Sequence, residues 1–196
     1  MTDRIVTPAA FVPLRLDGRP LTHKVALIFL GTLFLAASSY IEVPLAPVPV
    51  NMQTYAVLIV GALAGWRLGA ITVIAWLAEA VVGFPVLSGG AGGAVHFVGP
   101  TAGYMFGFPL VAAFAGWLAE QGWTQRIVPA FFGMLLAQAI CFVPGALWLA
   151  TFTGLDKAIA LGVTPFIVGA LLKSALAVCT LVVAKRALAK RSNGAA

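Results

Sequence analysis

Apolar runs of membrane-spanning length alternate with short polar, proline-rich or glycine-rich connections along most of this chain. Six segments are read, at residues 24–43, 53–66, 68–84, 103–119, 127–150 and 165–186. A helix rising 1.5 Å per residue needs about twenty residues to cross a hydrocarbon core of about 30 Å. The expected fold is therefore an all-α integral membrane protein of six transmembrane helices. The second segment is short, since about fourteen residues reach only roughly 21 Å. Only "GWRLG" separates it from the third. Two arrangements fit: a tight hairpin of helices two and three, or one helix that is broken or crosses incompletely.

Two connections stand out against this background. "PLAPVPVNMQT", Pro44 to Thr54, is rich in proline and ends on Asn51, Gln53 and Thr54. Proline bars continuation of a helix and holds the backbone extended, and Asn51 suits the N-cap of the helix that follows. The second connection, "FPVLSGGAGGAVHFVGPTAGY", runs from Phe84 to Tyr104. Glycine-rich backbone at membrane depth is tolerated where protein buries it or a cavity solvates it. Both connections fall on the same predicted side, which points to a ligand pocket opening there. Gly61/Gly65/Gly69 and Gly99/Gly103/Gly107 recur at spacing four and read as close helix-packing seams.

Composition agrees with the bilayer as solvent. The chain is 61% hydrophobic and 9% charged, with a mean hydropathy of +1.02, against about 25% charged for soluble domains. It divides into a tail (1–23), a six-helix membrane domain (24–187) and a basic tail (188–196), and the N-terminus lacks a signal-peptide layout. Net charge is +6, but the basic residues sit at the ends of apolar runs, not on one strip, which argues against nucleic acid. With both termini cytoplasmic, the inner side holds Arg4, Arg15, Arg19, Lys24, Arg67, Arg126, Lys185, Arg186, Lys190 and Arg191, and the outer side only Lys157. That asymmetry sets the orientation and puts the pocket outside.

Ionisable residues inside membrane segments are functional candidates by default, because burial demands a partner or neutralisation. Glu79 and Lys173, both in the outer half, are singled out here, and they are expected to partner each other or a ligand. Trp76 precedes Glu79 by one turn and shares its face. Cys141, Cys179 and His96 lack neighbours at metal-ligand spacing, so the cysteines read as small buried hydrophobes and His96 as a loop residue. "GGAGG" lacks the Lys-Ser/Thr ending of a P-loop, and no Walker motif occurs.

Taken together, "VPLAPVPVNMQT", "GALAGWRLGA", "GFPVLSGGAGG", "GPTAGYMFGFPL" and "ALGVTPFIVGALLK" resemble, in order, the biotin-specific substrate-binding S components called the BioY family. The resemblance spans about Val25 to Lys185. It implies a multi-pass protein of the bacterial cytoplasmic membrane that captures biotin from outside as a transported ligand, with no cofactor and no catalysis. It also implies partners: an energy-coupling-factor transmembrane protein and a pair of ABC-type ATPases. Carried onto matching positions, the binding residues are Gln53 and Thr54, then Ser88, Gly89 and Gly90, then Thr101 and Tyr104, and finally Lys173. Family members commonly carry an aspartate three residues before that lysine, where this chain has Ala170. Glu79, with Trp76 beside it, is expected to supply the missing acid. The rival expectations are an intramembrane enzyme using Glu79 and Lys173 as acid and base, and an assembly subunit that binds no small molecule.

Overall fold

The computed structural model describes residues 20–193, and the side chains of residues 20–187. Arg4, Arg15, Arg19 and most of the expected N-terminal tail therefore lie outside the described residues. The described residues form helices, one small ribbon and their connections: α1 (Leu21–Ser39), β1 (Glu42–Val43), β2 (Val50–Asn51), α2 (Gln53–Val81), α3 (Ala102–Glu120), α4 (Ile127–Thr153), α5 (Leu155–Gly162) and α6 (Phe166–Asn193). Two single 3-10 turns, Ser88–Gly90 and Ala94–Phe97, lie in the connection between α2 and α3. Among the described residues, five helices are long and apolar enough to cross a membrane: α1, α2, α3, α4 and α6 over Phe166–Ala187.

The predicted second and third segments form the continuous 29-residue run of α2, which turns back on itself at Gly65. There φ is 81° and ψ 172°, a conformation that glycine adopts without a Cβ penalty. The two limbs then lie so close that a Cβ on Gly69 would stand 2.8 Å from the Cα of Gly61. Eight residues apart on a straight helix would be about 12 Å. The hairpin arrangement is the one adopted. Gly116 of α3 seals the turn, with its Cβ position 2.5 Å from the Gly65 carbonyl carbon. The Trp66 N–H donates to Glu120 Oε1 at 3.1 Å.

The glycine seams close-pack the bundle. A Cβ on Gly61 would meet the Ala112 carbonyl oxygen at 2.3 Å, and one on Gly103 would meet the Pro144 carbonyl oxygen at 2.4 Å. The α2–α3 and α3–α4 backbones thus approach closely where lipid offers no hydrophobic drive. α1 joins through Gly31, opposite Thr72 of the second limb, and otherwise exposes Phe29, Leu30 and Leu33.

Element ends sort into two groups. The Gly65 turn, the end of α3 and the late part of α6 meet at one end, where Lys185 Nζ donates to Gln125 Oε1. The other end holds the β-ribbon, the glycine-rich connection and α5. The helix expected to reach residue 43 stops at Ser39, because Glu42 and Val43 pair antiparallel with Asn51 and Val50. The prolines occupy the loop between these strands, and the Ala46–Pro47 bond is cis. α5 is an addition to the expected connection at 151–164. Leu155, Ala158, Ile159 and Gly162 recur at helical spacing, and Asp156 sits in the first turn, where the helix dipole favours it.

Candidate functional site

The loop end opens into a cavity of about 490 Å³, within the 300–1,000 Å³ usual for small-ligand sites. The proline-rich loop and the start of α2 form one wall, from Pro47 to Thr54; the glycine-rich connection forms another, from Leu87 to Thr101. The floor comes from Tyr104, Met105 and Phe108 of α3, Gln138, Cys141 and Phe142 of α4, and Phe166, Ala170 and Lys173 of α6. Most of this lining is aliphatic or aromatic, with a few polar groups converging.

Hydrogen bonds hold the two loop walls together. Asn51 Nδ2 donates to Ser88 Oγ at 2.9 Å and to Gln53 Oε1 at 2.9 Å. Ser88 Oγ in turn donates to Glu42 Oε2. Gln53 Nε2 donates to Ser39 Oγ at 3.0 Å, and Ser39 donates to the Leu35 carbonyl at 2.9 Å. Tyr40 adds a second tie, its hydroxyl donating to the Pro85 carbonyl at 2.6 Å. The ribbon, the glycine-rich turn, α1 and the start of α2 are thus one network. Asn51 still serves the helix start, since its Oδ1 accepts from the Gln53 N–H at 3.1 Å, although Met52 occupies the N-cap position.

Of the residues named from sequence, Gln53, Thr54, Ser88, Thr101, Tyr104 and Lys173 line the cavity. Lys173 is half-buried and its ammonium donates to Thr54 Oγ1 at 3.0 Å. The Tyr104 hydroxyl is committed, donating to the Gly162 carbonyl at 2.8 Å, so it clamps α3 to the end of α5 while its ring faces the cavity. Gly89 and Gly90 lie behind Ser88, with φ of 65° and 75°; they turn the chain so that Ser88 faces inward.

Trp76 and Glu79 stand off the cavity wall. Trp76 is fully buried, donates to the Val86 carbonyl at 3.0 Å and stacks on Phe108 at 6.0 Å between centroids. The expected pairing of Glu79 with Lys173 does not occur. The hairpin explains why. The first limb of α2 meets α6, through Thr54 to Lys173 and Tyr55 to Thr180. The second limb, which carries Glu79, packs on α1 at Thr72 and on α3 at Trp76.

Asn51, Gln138, Cys141 and His96 also line the cavity, none of them selected from sequence as a ligand contact. A glutamine in the middle of a 27-residue apolar helix was the legible signal for Gln138, since a polar side chain at that depth needs partners. Among the described residues, no group of three or more His, Cys, Asp or Glu could hold a metal ion.

The BioY family model matches residues 7–190. The chain belongs to the BioY family. A "probable biotin transporter BioY" from Pyrococcus horikoshii is 34% identical over 155 residues, covering 79% of this chain and 91% of that protein. A "biotin transporter BioY" from Thermotoga maritima is 32% identical over 142 residues, covering 69% of this chain and 80% of the relative. The fold is also similar to that of a solved protein described as the S-component for biotin from an ECF-type ABC transporter, with a TM-score of 0.73 and 27% identity, over 85% of this chain and 94% of that one. The BioY family thus accounts for the all-helical membrane fold and nearly the whole described length.

Proposed function

We propose that this chain is a biotin-binding S component that takes biotin from outside the cytoplasmic membrane for uptake. The observation that carries the reading is the cavity itself, largely apolar with Lys173 facing in, within a chain of the BioY family. Biotin has a neutral cyclic urea, an apolar bicycle and a flexible tail ending in carboxylate. An apolar pocket with few convergent polar groups suits such a ligand. Thr54, Ser88, Thr101 and Lys173 are the side chains proposed to meet it, with Gln53 and Tyr104 holding the walls. A Lys173 N–H not used by Thr54 suits the urea oxygen or the carboxylate.

The sidedness follows from the charges. Arg67 and Arg126 lie at the Gly65-turn end, and Lys157 lies on α5 at the loop end. The positive-inside rule then places both termini in the cytoplasm and the cavity mouth outside. The chain holds no Walker motif, so ATP-driven release is assigned to a coupling membrane protein and an ATPase pair. Equilibrium binding of radiolabelled biotin to the detergent-solubilised protein tests the reading. Saturable, high-affinity binding is expected; a linear, non-saturating isotherm sinks it.

A further inference from the structure

Three amide side chains line the cavity: Asn51, Gln53 and Gln138. The first two are consumed by the loop network. Gln53 Oε1 accepts from Asn51 Nδ2, and Asn51 Oδ1 accepts from the Gln53 backbone N–H. Gln138 is different. Its Nε2 spends both hydrogens on α6, donating to the Ala170 carbonyl at 2.8 Å and to Ser174 Oγ at 2.7 Å. A carbonyl only accepts, so the nitrogen must face α6 and the oxygen is directed away from it. Among the described residues no donor reaches that oxygen. Nor is it sealed in protein: among the described residues, the one fully enclosed side-chain polar atom without a partner is Thr124 Oγ1. The Gln138 side chain is only 3% exposed, so the oxygen borders the cavity. An acceptor in an apolar membrane interior is stable only when a donor arrives.

We infer that the Gln138 amide oxygen accepts a hydrogen bond from a ring N–H of the ligand and makes this chain selective for a cyclic urea with that N–H free. The inference rests on the biotin reading and deepens it. Gln138 grips α6 at Ala170, one helical turn from Lys173. Gln138 and Lys173 both line the cavity, so its wall offers one ligand an acceptor and an ammonium donor. A cyclic urea presents the complement, an N–H adjacent to its carbonyl oxygen. The two hydrogen bonds to α6 lock the Gln138 rotamer, so little ordering cost falls on binding.

The experiment compares biotin with its two ring-N-methylated isomers, by equilibrium binding to detergent-solubilised wild type and Gln138→Met. Wild type is expected to prefer biotin over at least one isomer by about tenfold or more, the scale of one hydrogen bond. Gln138→Met weakens biotin by about the same factor and leaves that isomer within about twofold, so the preference collapses. A purely structural role would weaken all three ligands in proportion; an unchanged ratio overturns the inference. So does a wild type that takes both isomers as tightly as biotin, a result that stands even if Gln138→Met fails to fold. A wild type that binds no biotin sinks the functional reading and the inference together, whereas biotin binding with an unchanged ratio sinks the inference alone.

Discussion

Among the described residues, Lys173 carries the one formal charge on the cavity wall, and its partner is a hydroxyl rather than a carboxylate. A neutral partner leaves the charge available to a ligand acceptor. Hydrogen bonds to a charged group contribute about 1.5–3 kcal/mol, so Lys173→Met is expected to weaken biotin binding by roughly 10–100-fold. Titration of the purified variant with labelled biotin checks this, and an unchanged Kd removes Lys173 from the site. Glu79→Gln is expected to leave affinity within about twofold, since the carboxylate stands off the wall and pairs with nothing that touches the cavity.

Between elements, two kinds of contact separate cleanly. The seams hold the bundle, and the loop network holds the pocket. At Gly103 a Cβ would lie 2.4 Å from the Pro144 carbonyl oxygen and 2.4 Å from Trp148 Cβ, whereas at Gly169 the nearest atom is Val50 Cγ1 at 3.9 Å. Gly103→Ala is therefore expected to lower stability by about 1–3 kcal/mol through overpacking, and Gly169→Ala to be neutral or slightly stabilising. Thermal melting in detergent separates them; equal Tm values would refute the seam. Glu42 accepts from Ser88 yet lies outside the cavity lining. Glu42→Ala is expected to speed biotin dissociation about 3–10-fold, the kinetic equivalent of one lost hydrogen bond, with little change in Tm. A chase with unlabelled biotin measures it. An unchanged off-rate would mean that the ribbon and the glycine-rich turn do not hold the pocket shut.

At the scale of the molecule, the proposed orientation rests on charge asymmetry. With native cysteines replaced, Lys157→Cys in intact cells is expected to react with a membrane-impermeant maleimide, and Arg126→Cys only after permeabilisation. The reverse pattern would invert the proposed topology. Apolar run lengths alone specified a helical membrane protein, because the bilayer leaves helices as the economical way to satisfy backbone groups. The proline-rich stretch announced a break after α1, and the motif order announced the BioY family. The small-residue spacing marked Gly61 and Gly103 as seams, since only backbone approach makes such spacing useful. Lys173 and Thr54 were legible as candidates from depth and motif. Their partners were not. Which limb of α2 faces α6 depends on the reversal at Gly65, and one glycine does not state the direction of a turn. That reversal took Glu79 away from Lys173 and brought Thr54 to it. Likewise α5 needed Tyr104 to fasten its end, and Gln138 gained meaning only when α6 supplied Ala170 and Ser174 to hold its nitrogen. The chain by itself determined the solvent, the spans and the polar residues that had to find partners. Tertiary structure alone decided the pairings, because these link residues far apart in sequence through packing that no local pattern encodes.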